Sequence, residues 1–532
     1  MNPNKFPRIL GLALLLLSTC ISVPCKAATP AAADAPWAEA ASNGKQARRA
    51  LLACWRFVQG WLQHADPQSG LIPRNLSKDL FWNAKDAAAD NYPFMVLSSY
   101  YTYHRLYSHR MHAMLKTEQR LCNRIGVLPD DYVFATHAQR PRKPSLKELI
   151  FGASEYAKDG LLPITELLGP SPWSQRMLEL LDEIWKHRYL STEVGKLPAT
   201  SNEVAGDLMQ TLCRMYWMTG KQEYRQWAYL LADYFLAHHL PTQQPRLDLD
   251  DHGCEFLGGL SEVYYLAAQR DPERRERWRP VIHQLMDRIL EVGRDEHGLF
   301  FSRINPITGQ TLDKELTDNW GYNYNAYLVV AQLDNVARYR LAVENALHQL
   351  PHYRDYPWEG DTADGIADSL ESAINLIQRI ADPQAIAWAD HMAERLLAKQ
   401  RDTGVIEGWH GDGNFARTAL MFALWKTQGT YLRPWRADLR LGAARDADGA
   451  LFISIEADWP WQGTLHFDIP RHQEYLHLPT DYPRLNQFPE WFTVAKNAQY
   501  ATDRGPIFGT VLRQGLPLTV TPEKPYRLKL QR

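Results

Sequence analysis

Six times between residues 90 and 415, a short polar or glycine-bearing segment opens directly into a strongly apolar helical pattern. This recurrence constrains the fold more than any other feature. The openings are Asp90-Asn91-Tyr92-Pro93, Asn202-Glu203, Asp251-His252-Gly253-Cys254-Glu255, Asp318-Asn319-Trp320-Gly321-Tyr322, Asp364-Gly365 and Gly411-Asp412-Gly413-Asn414-Phe415. The last four are about 45 to 70 residues apart, room for two helices and their turns. A unit of that size cannot bury its apolar face alone, so the units must pack on one another. Six inner helices, each followed by an outer return helix, describe a closed ring of six hairpins. The free N–H groups and capping side chains of the inner helices then gather at one mouth.

Helical spacing supports this over residues 45–432. Ala50, Leu51, Cys54, Phe57, Val58, Trp61 and Leu62 recur at three- and four-residue steps, as do Ile366, Leu370, Ala373, Ile374 and Ile377. Residues 123–175, rich in Pro, Lys and Arg, read as a long insertion that delays the second opening. After Pro434 the pattern changes to short alternating runs, such as Ala450–Ile455, Gly463–Asp468, Val511–Arg513, Leu516–Val520 and Tyr526–Leu530. Residues 433–532 are therefore expected to form a small antiparallel β-sandwich packed on the toroid. It either shapes a wall of the cleft or serves as a structural cap.

The N-terminus reads as an export signal. Lys5 and Arg8 precede the apolar run Ile9–Val23, and small residues follow at Ala27 and Ala28. Residues 1–28 are the expected signal peptide and 29–44 a linker, which places the mature chain in the periplasm or outside the cell. Thr19 and Pro24 are poor neighbours for a lipidated Cys20 or Cys25, and no later stretch is long and apolar enough for stable membrane insertion. Formal net charge is -2, with no basic stripe for nucleic acid. Cys54, Cys122, Cys213 and Cys254 are widely spaced, with no C-x-x-C pair. They define neither a zinc site nor a disulfide pattern, and no cofactor or metal is expected. The 18 Trp and 25 Tyr suit a sugar-binding cleft, and equally a large helical core.

A toroid followed by a β-domain resembles the six-hairpin glycosidase-like superfamily of glycoside hydrolases and polysaccharide lyases. The segments Trp82-Asn83-Ala84-Lys85-Asp86, His252–Glu255 and Asp364–Glu371 look like its polar inner-helix starts. The resemblance covers the architecture of residues 45–432 and reaches no individual family, so catalytic roles are not carried over from it. It implies a carbohydrate substrate.

Glycoside cleavage by acid catalysis usually needs two carboxyl groups, one protonated and one charged. Asp364, Asp368 and Glu371 follow one another at four and three residues and share a helical face. Crowding like charges there raises at least one pKa, as a proton donor requires. Asp86 and Asp90 form the second acidic opening. If the first and fifth hairpins face each other, Asp364 or Asp368 pairs across the ring with Asp86 or Asp90. Trp82, Asn83, His252, Glu255, Asn319, Tyr322, Tyr324, Glu371, Trp409, Asp412 and Arg417 are the candidate sugar contacts. Each competes with a plainer role in capping or core packing. Two other readings stand beside the hydrolase. One is a lyase in which Tyr322 or His252 moves protons on a uronate, and the other is a glycan-binding protein without catalysis.

Overall fold

The computed structural model describes residues 34–77 and 80–532, so the expected signal peptide lies outside the described residues. Helices dominate as far as Lys426. They are α1 (Ala35–Leu62), α2 (Tyr92–Thr102), α3 (His112–Leu121), α4 (Leu146–Glu155), α5 (Leu162–Leu168), α6 (Pro172–Lys186), α7 (Asn202–Thr219) and α8 (Gln222–Asp233). They continue as α9 (Asp251–Arg270), α10 (Pro272–Val292), α11 (Trp320–Asp334), α12 (Ala337–Gln349), α13 (Ala363–Arg379), α14 (Pro383–Ala398) and α15 (Asn414–Lys426). None of the described helices is long and apolar enough to cross a membrane.

The ring closes through seven inner segments among the described residues, one more than the sequence pattern suggests. Running round it are α2, the α4–α5 segment, α7, α9, α11, α13 and α15, and α15 packs back onto α2. The outer layer is α3, α6, α8, α10, α12, α14 and α1, joined in turn by pairs such as Glu118–Arg176, Asp233–Arg274 and Arg49–Glu394. The extra hairpin is α4–α5 with α6, inside the stretch expected to be an insertion. Only residues up to about 145 there are loop and short strand. Leu149, Ile150, Ala153, Tyr156, Ala157, Leu161 and Ile164 bury a helical face that was present in the sequence.

Inner helices approach closely where side chains are small. A Cβ on Gly206 of α7 would lie 2.5 Å from the carbonyl carbon of Glu255 in α9, and one on Gly321 of α11 would lie 2.5 Å from Ser372 Cβ in α13. Trp320 Nε1 donates to Ser369 Oγ at 2.9 Å across the same α11–α13 seam. Helix α1 completes the circle from outside, with Phe57 stacked on Phe415 of α15. It is helical from Ala35, which corrects the expected linker 29–44 over its last ten residues. Ala40 and Gly44 are buried there, and Gly44 packs against Gly442.

The C-terminal part holds two three-stranded antiparallel sheets. One is Tyr431–Arg433, Trp461–His466 and Leu516–Val520, and the other is Arg440–Arg445, Leu451–Glu456 and Tyr526–Leu530. Leu465 and Leu518 from the first and Ile453 and Leu528 from the second share one apolar cluster. The expected strand at Val511–Arg513 lies instead in a short helix, Gly509–Gln514, that buries Leu512.

Between these strands, the chain from Asp481 to Asn486 returns to the ring. Arg484 pairs with Glu166, Arg379 with Asp481 at 2.6 Å, and Tyr482 donates to Glu262 at 3.0 Å. Arg214 Nη1 donates to the Leu485 carbonyl at 3.1 Å. This segment floors the ring with charged contacts, of which the Arg484–Glu166 pair is almost wholly buried.

Candidate active site

Above that floor lies a cavity of about 380 Å³, lined by N-terminal turns of the inner helices. The start of α2 supplies Asp90, α9 supplies Asp251, His252 and Glu255, and α11 supplies Tyr322. From α13 come Asp364 and Asp368, from α15 Asn414 and Arg417, and from the floor Leu485 and Asn486. Two π-helical segments also face it: 84–91, with Lys85, Asp86 and Asp90, and 156–161, with Lys158 and Asp159. Such widened turns are rare and concentrate at functional sites. A second cavity, of about 450 Å³, shares Lys85, Phe151 and Trp409 with the first. Trp409 is 80 % exposed, and the Arg74 guanidinium sits 5.1 Å from its ring centroid.

Arg417 organises one wall. It pairs with Asp368 and Glu371, donates to Asn414 Oδ1 at 2.8 Å and to Asn486 Oδ1 at 3.3 Å, and reaches the Tyr322 hydroxyl at 3.1 Å. Asn319 Nδ2 donates to Asp368 Oδ2 at 2.8 Å. Burial pushes Asp368 up to about 6 although Arg417 and its hydrogen bonds pull it down, and Glu371, deeper still, up to about 7. At Asp90 the effects all run one way. Burial, then the charges of Asp159, Asp86 and Asp364, hold its carboxyl well above the usual carboxylate range. His410 Nε2 lies 3.6 Å from its Oδ2. Asp86 is differently placed, paired with Arg74 and accepting from Asn83 Nδ2.

The structure brings Asp86, Asp90, Asp364, Asp368, His252, Glu255, Tyr322, Trp409 and Arg417 to one cavity. Asp86 and Asp90 do not face Asp364 across the ring. In a seven-membered circle α2 and α13 are second neighbours, with α15 between them, and Asn414 Nδ2 donates to Asp364 Oδ1 at 2.7 Å in that gap. Asn319 and Glu371 stand behind the wall rather than in it, both buried. Asp412 accepts from the Phe415 N–H at 3.4 Å, a helix-start contact. Asn83 accepts from the Ala87 N–H and lines only the second cavity. Trp82 and Tyr324 are corrected outright: Trp82 is in the core, and Tyr324 donates outward to the Gly298 carbonyl beside Phe300.

His252 Nδ1 lies 2.5 Å from Glu203 Oε1, and that bond raises its pKa to about 10. Lys158, Asp159, His410, Asn414 and Asn486 are cavity residues that sequence reasoning missed. Lys158 and Asp159 had a signal, a charged pair within an apolar helical pattern, masked by reading the region as an insertion.

The concentration of acid has a measurable consequence. Burial first, and neighbouring carboxylates second, raise Asp90, Asp318 and Asp412 well above their ordinary values. The folded state then binds more protons than the unfolded chain above about pH 4, so stability falls as pH rises toward the folded pKa values. Asp481, held down to about 2 against burial by Arg379 and Arg484, acts oppositely. Its contribution is present above about pH 4 and is lost as pH falls through 2. The melting temperature is therefore expected to peak in mild acid, near pH 5, and to be several degrees lower at pH 8. A flat profile from calorimetry would contradict the burial of these carboxyls.

No sequence family matches the chain, and no curated protein does. Among solved structures, a possible family 105 glycoside hydrolase from Salmonella enterica serovar Paratyphi A is similar over 52% of this chain and 81% of its own, at 12% identity and TM-score 0.37. The family 76 α-1,6-mannanase of Salegentibacter sp. HEL1_6 matches over 58% and 96%, at 14% identity and TM-score 0.37. A family 76 glycoside hydrolase from a bovine Bacteroides thetaiotaomicron strain matches over 59% and 76%, at 9% identity and TM-score 0.41. The matches include six-hairpin glycosidases, the group to which the sequence is likened above. At these scores they assign neither family nor substrate.

Proposed function

We propose that this chain is an exported glycoside hydrolase. In this reading Asp90 donates the proton to the leaving glycosidic oxygen, and Asp368 is the carboxylate that activates water or stabilises the developing positive charge. The observation that carries it is the divergence of two carboxyls in one cavity. Burial, and then a crowd of like charges, push Asp90 well above the usual carboxylate range, whereas Asp368, raised only to about 6 and hydrogen-bonded by Arg417 and Asn319, is mostly ionised at neutral pH. Environments that push two pKa values apart assign acid and base. Trp409, exposed at the mouth, offers a flat apolar face for a sugar ring.

Lyase chemistry fits less well. His252 carries a proton at neutral pH and is a poor base. Arg417 and Lys158 are each already paired with two carboxylates, which weakens either as a neutraliser for a uronate.

The test is incubation of the purified mature chain with a panel of neutral and acidic polysaccharides. Reducing ends and absorbance from a new C=C bond are followed together. Reducing-end release without the absorbance supports hydrolysis, and the absorbance overturns it. On the substrate found, kcat/KM should fall below about pH 6, because Asp368 must be ionised to act.

A further inference from the structure

We propose that Glu155, Asp159 and Asp207 bind a hard divalent cation, calcium or magnesium, in the wall of the central cavity. One carboxylate oxygen from each lies within 4.8 Å of the others. Oxygens sharing one calcium ion, at about 2.3–2.6 Å each, are separated by no more than about 5 Å. All-oxygen sets of this kind suit such ions rather than softer metals. This departs from the expectation from sequence that no metal is bound.

Compactness alone would not make a site, and Asp207 supplies the second observation. It is fully buried on α7, and among the described residues no N–H or hydroxyl donor reaches either of its carboxylate oxygens, whose one side-chain hydrogen-bonding neighbour is the Glu155 carboxyl, itself an acid. A carboxylate taken out of water without a partner costs several kcal/mol. It is held there by the backbone, because Gly206 lets α7 press against Glu255 of α9. Lys158 relieves it only through space, without a hydrogen bond. That ammonium bonds Asp159 Oδ1 at 2.7 Å and Glu255 Oε1 at 2.9 Å. Four carboxylates, Glu155, Asp159, Asp207 and Glu255, thus share one ammonium. Burial and mutual repulsion raise both Glu155 and Asp207. A doubly charged ion removes most of the imbalance. Because Glu155 and Asp159 line the cavity, the ion would keep part of its coordination sphere open to it.

The group Asp86, Asp90 and His410 is as compact, but Asp86 is already paired with Arg74 and Asn83. Among the described residues it carries no comparable orphan.

The experiment is independent of the hydrolase reading. The intact chain is stripped with EDTA and titrated with CaCl2, MgCl2 or MnCl2, by calorimetry and by melting temperature. One saturable site per chain and a rise in melting temperature are expected with at least one ion. Asp207→Asn should abolish both. Glu155→Gln, at a half-buried position, gives a second variant if Asp207→Asn fails to fold, and it should weaken binding at least tenfold. Asp287→Asn on the outer surface should bind as the parent does. No saturable binding at millimolar ion overturns the proposal, and so does binding that survives the cavity substitutions. In the first case, an Asp207→Asn variant as stable as the parent would mark a proton shared by Glu155 and Asp207.

Discussion

Asp90→Asn should lower turnover by about 10²–10⁴-fold, the cost of losing a positioned proton donor. The amide matches the carboxylic acid in shape but cannot release a proton. Asp90 does not cap α2, so the fold is expected to survive: the residue before that helix, Asn91, has helical φ/ψ and no side-chain cap bond. A neutral amide also brings no negative charge beside Asp159, Asp86 and Asp364, whose charges already disfavour an ionised Asp90. Asp368→Asn should cost as much in rate, and it should also remove the acid limb near pH 6. Its stability effect will be larger, because Arg417 loses one of its two carboxylates. Circular dichroism and melting separate the two kinds of loss. If Asp90→Asn retains turnover within a few-fold while Asp364→Asn abolishes it, the donor has been misassigned within the cavity.

Arg214→Met should be the most damaging single change outside the cavity, destabilising by about 3–5 kcal/mol. The guanidinium is buried and bonds Glu262 at 2.6 Å, Glu166 at 3.0 Å and the Leu485 carbonyl at 3.1 Å. Its removal leaves buried carboxylates short of a cation and frees the segment that floors the ring. A melting temperature lower by roughly 5–10 °C is expected. Arg338→Met makes the comparison. Arg338 pairs with Asp287 at 2.8 Å, but both side chains are about half exposed, and such pairs contribute close to nothing. Equal losses for the two variants would show that the floor segment contributes little to stability.

Much of the ring was legible, because an inner helix must be apolar all round below its polar start. That signature marks α2, α7, α9, α11, α13 and α15 at the six openings. The α4–α5 hairpin escaped because its charged pair, Lys158 and Asp159, falls in the middle of the segment, where the backbone widens to π-helix. Tyr324 and Trp82 were misplaced for a related reason. An aromatic residue near a polar opening points into the cavity or into the outer core according to helix rotation, which one helix's sequence does not settle.

Local sequence determined that the chain is mainly helical, where the inner helices begin, that their starts are acidic, and where strands replace helices. Those features arise from periodicity and capping within a few residues of each other. Tertiary structure alone decided that the ring has seven members, which makes α2 and α13 second neighbours instead of opposing walls. It alone brought Asp481–Asn486 beneath the ring, and it set Asp207 beside Glu155 and Asp159. Each of those contacts joins residues that are distant in sequence, and they exist only once close packing at Gly206 and Gly321 has fixed how the helices turn toward the centre.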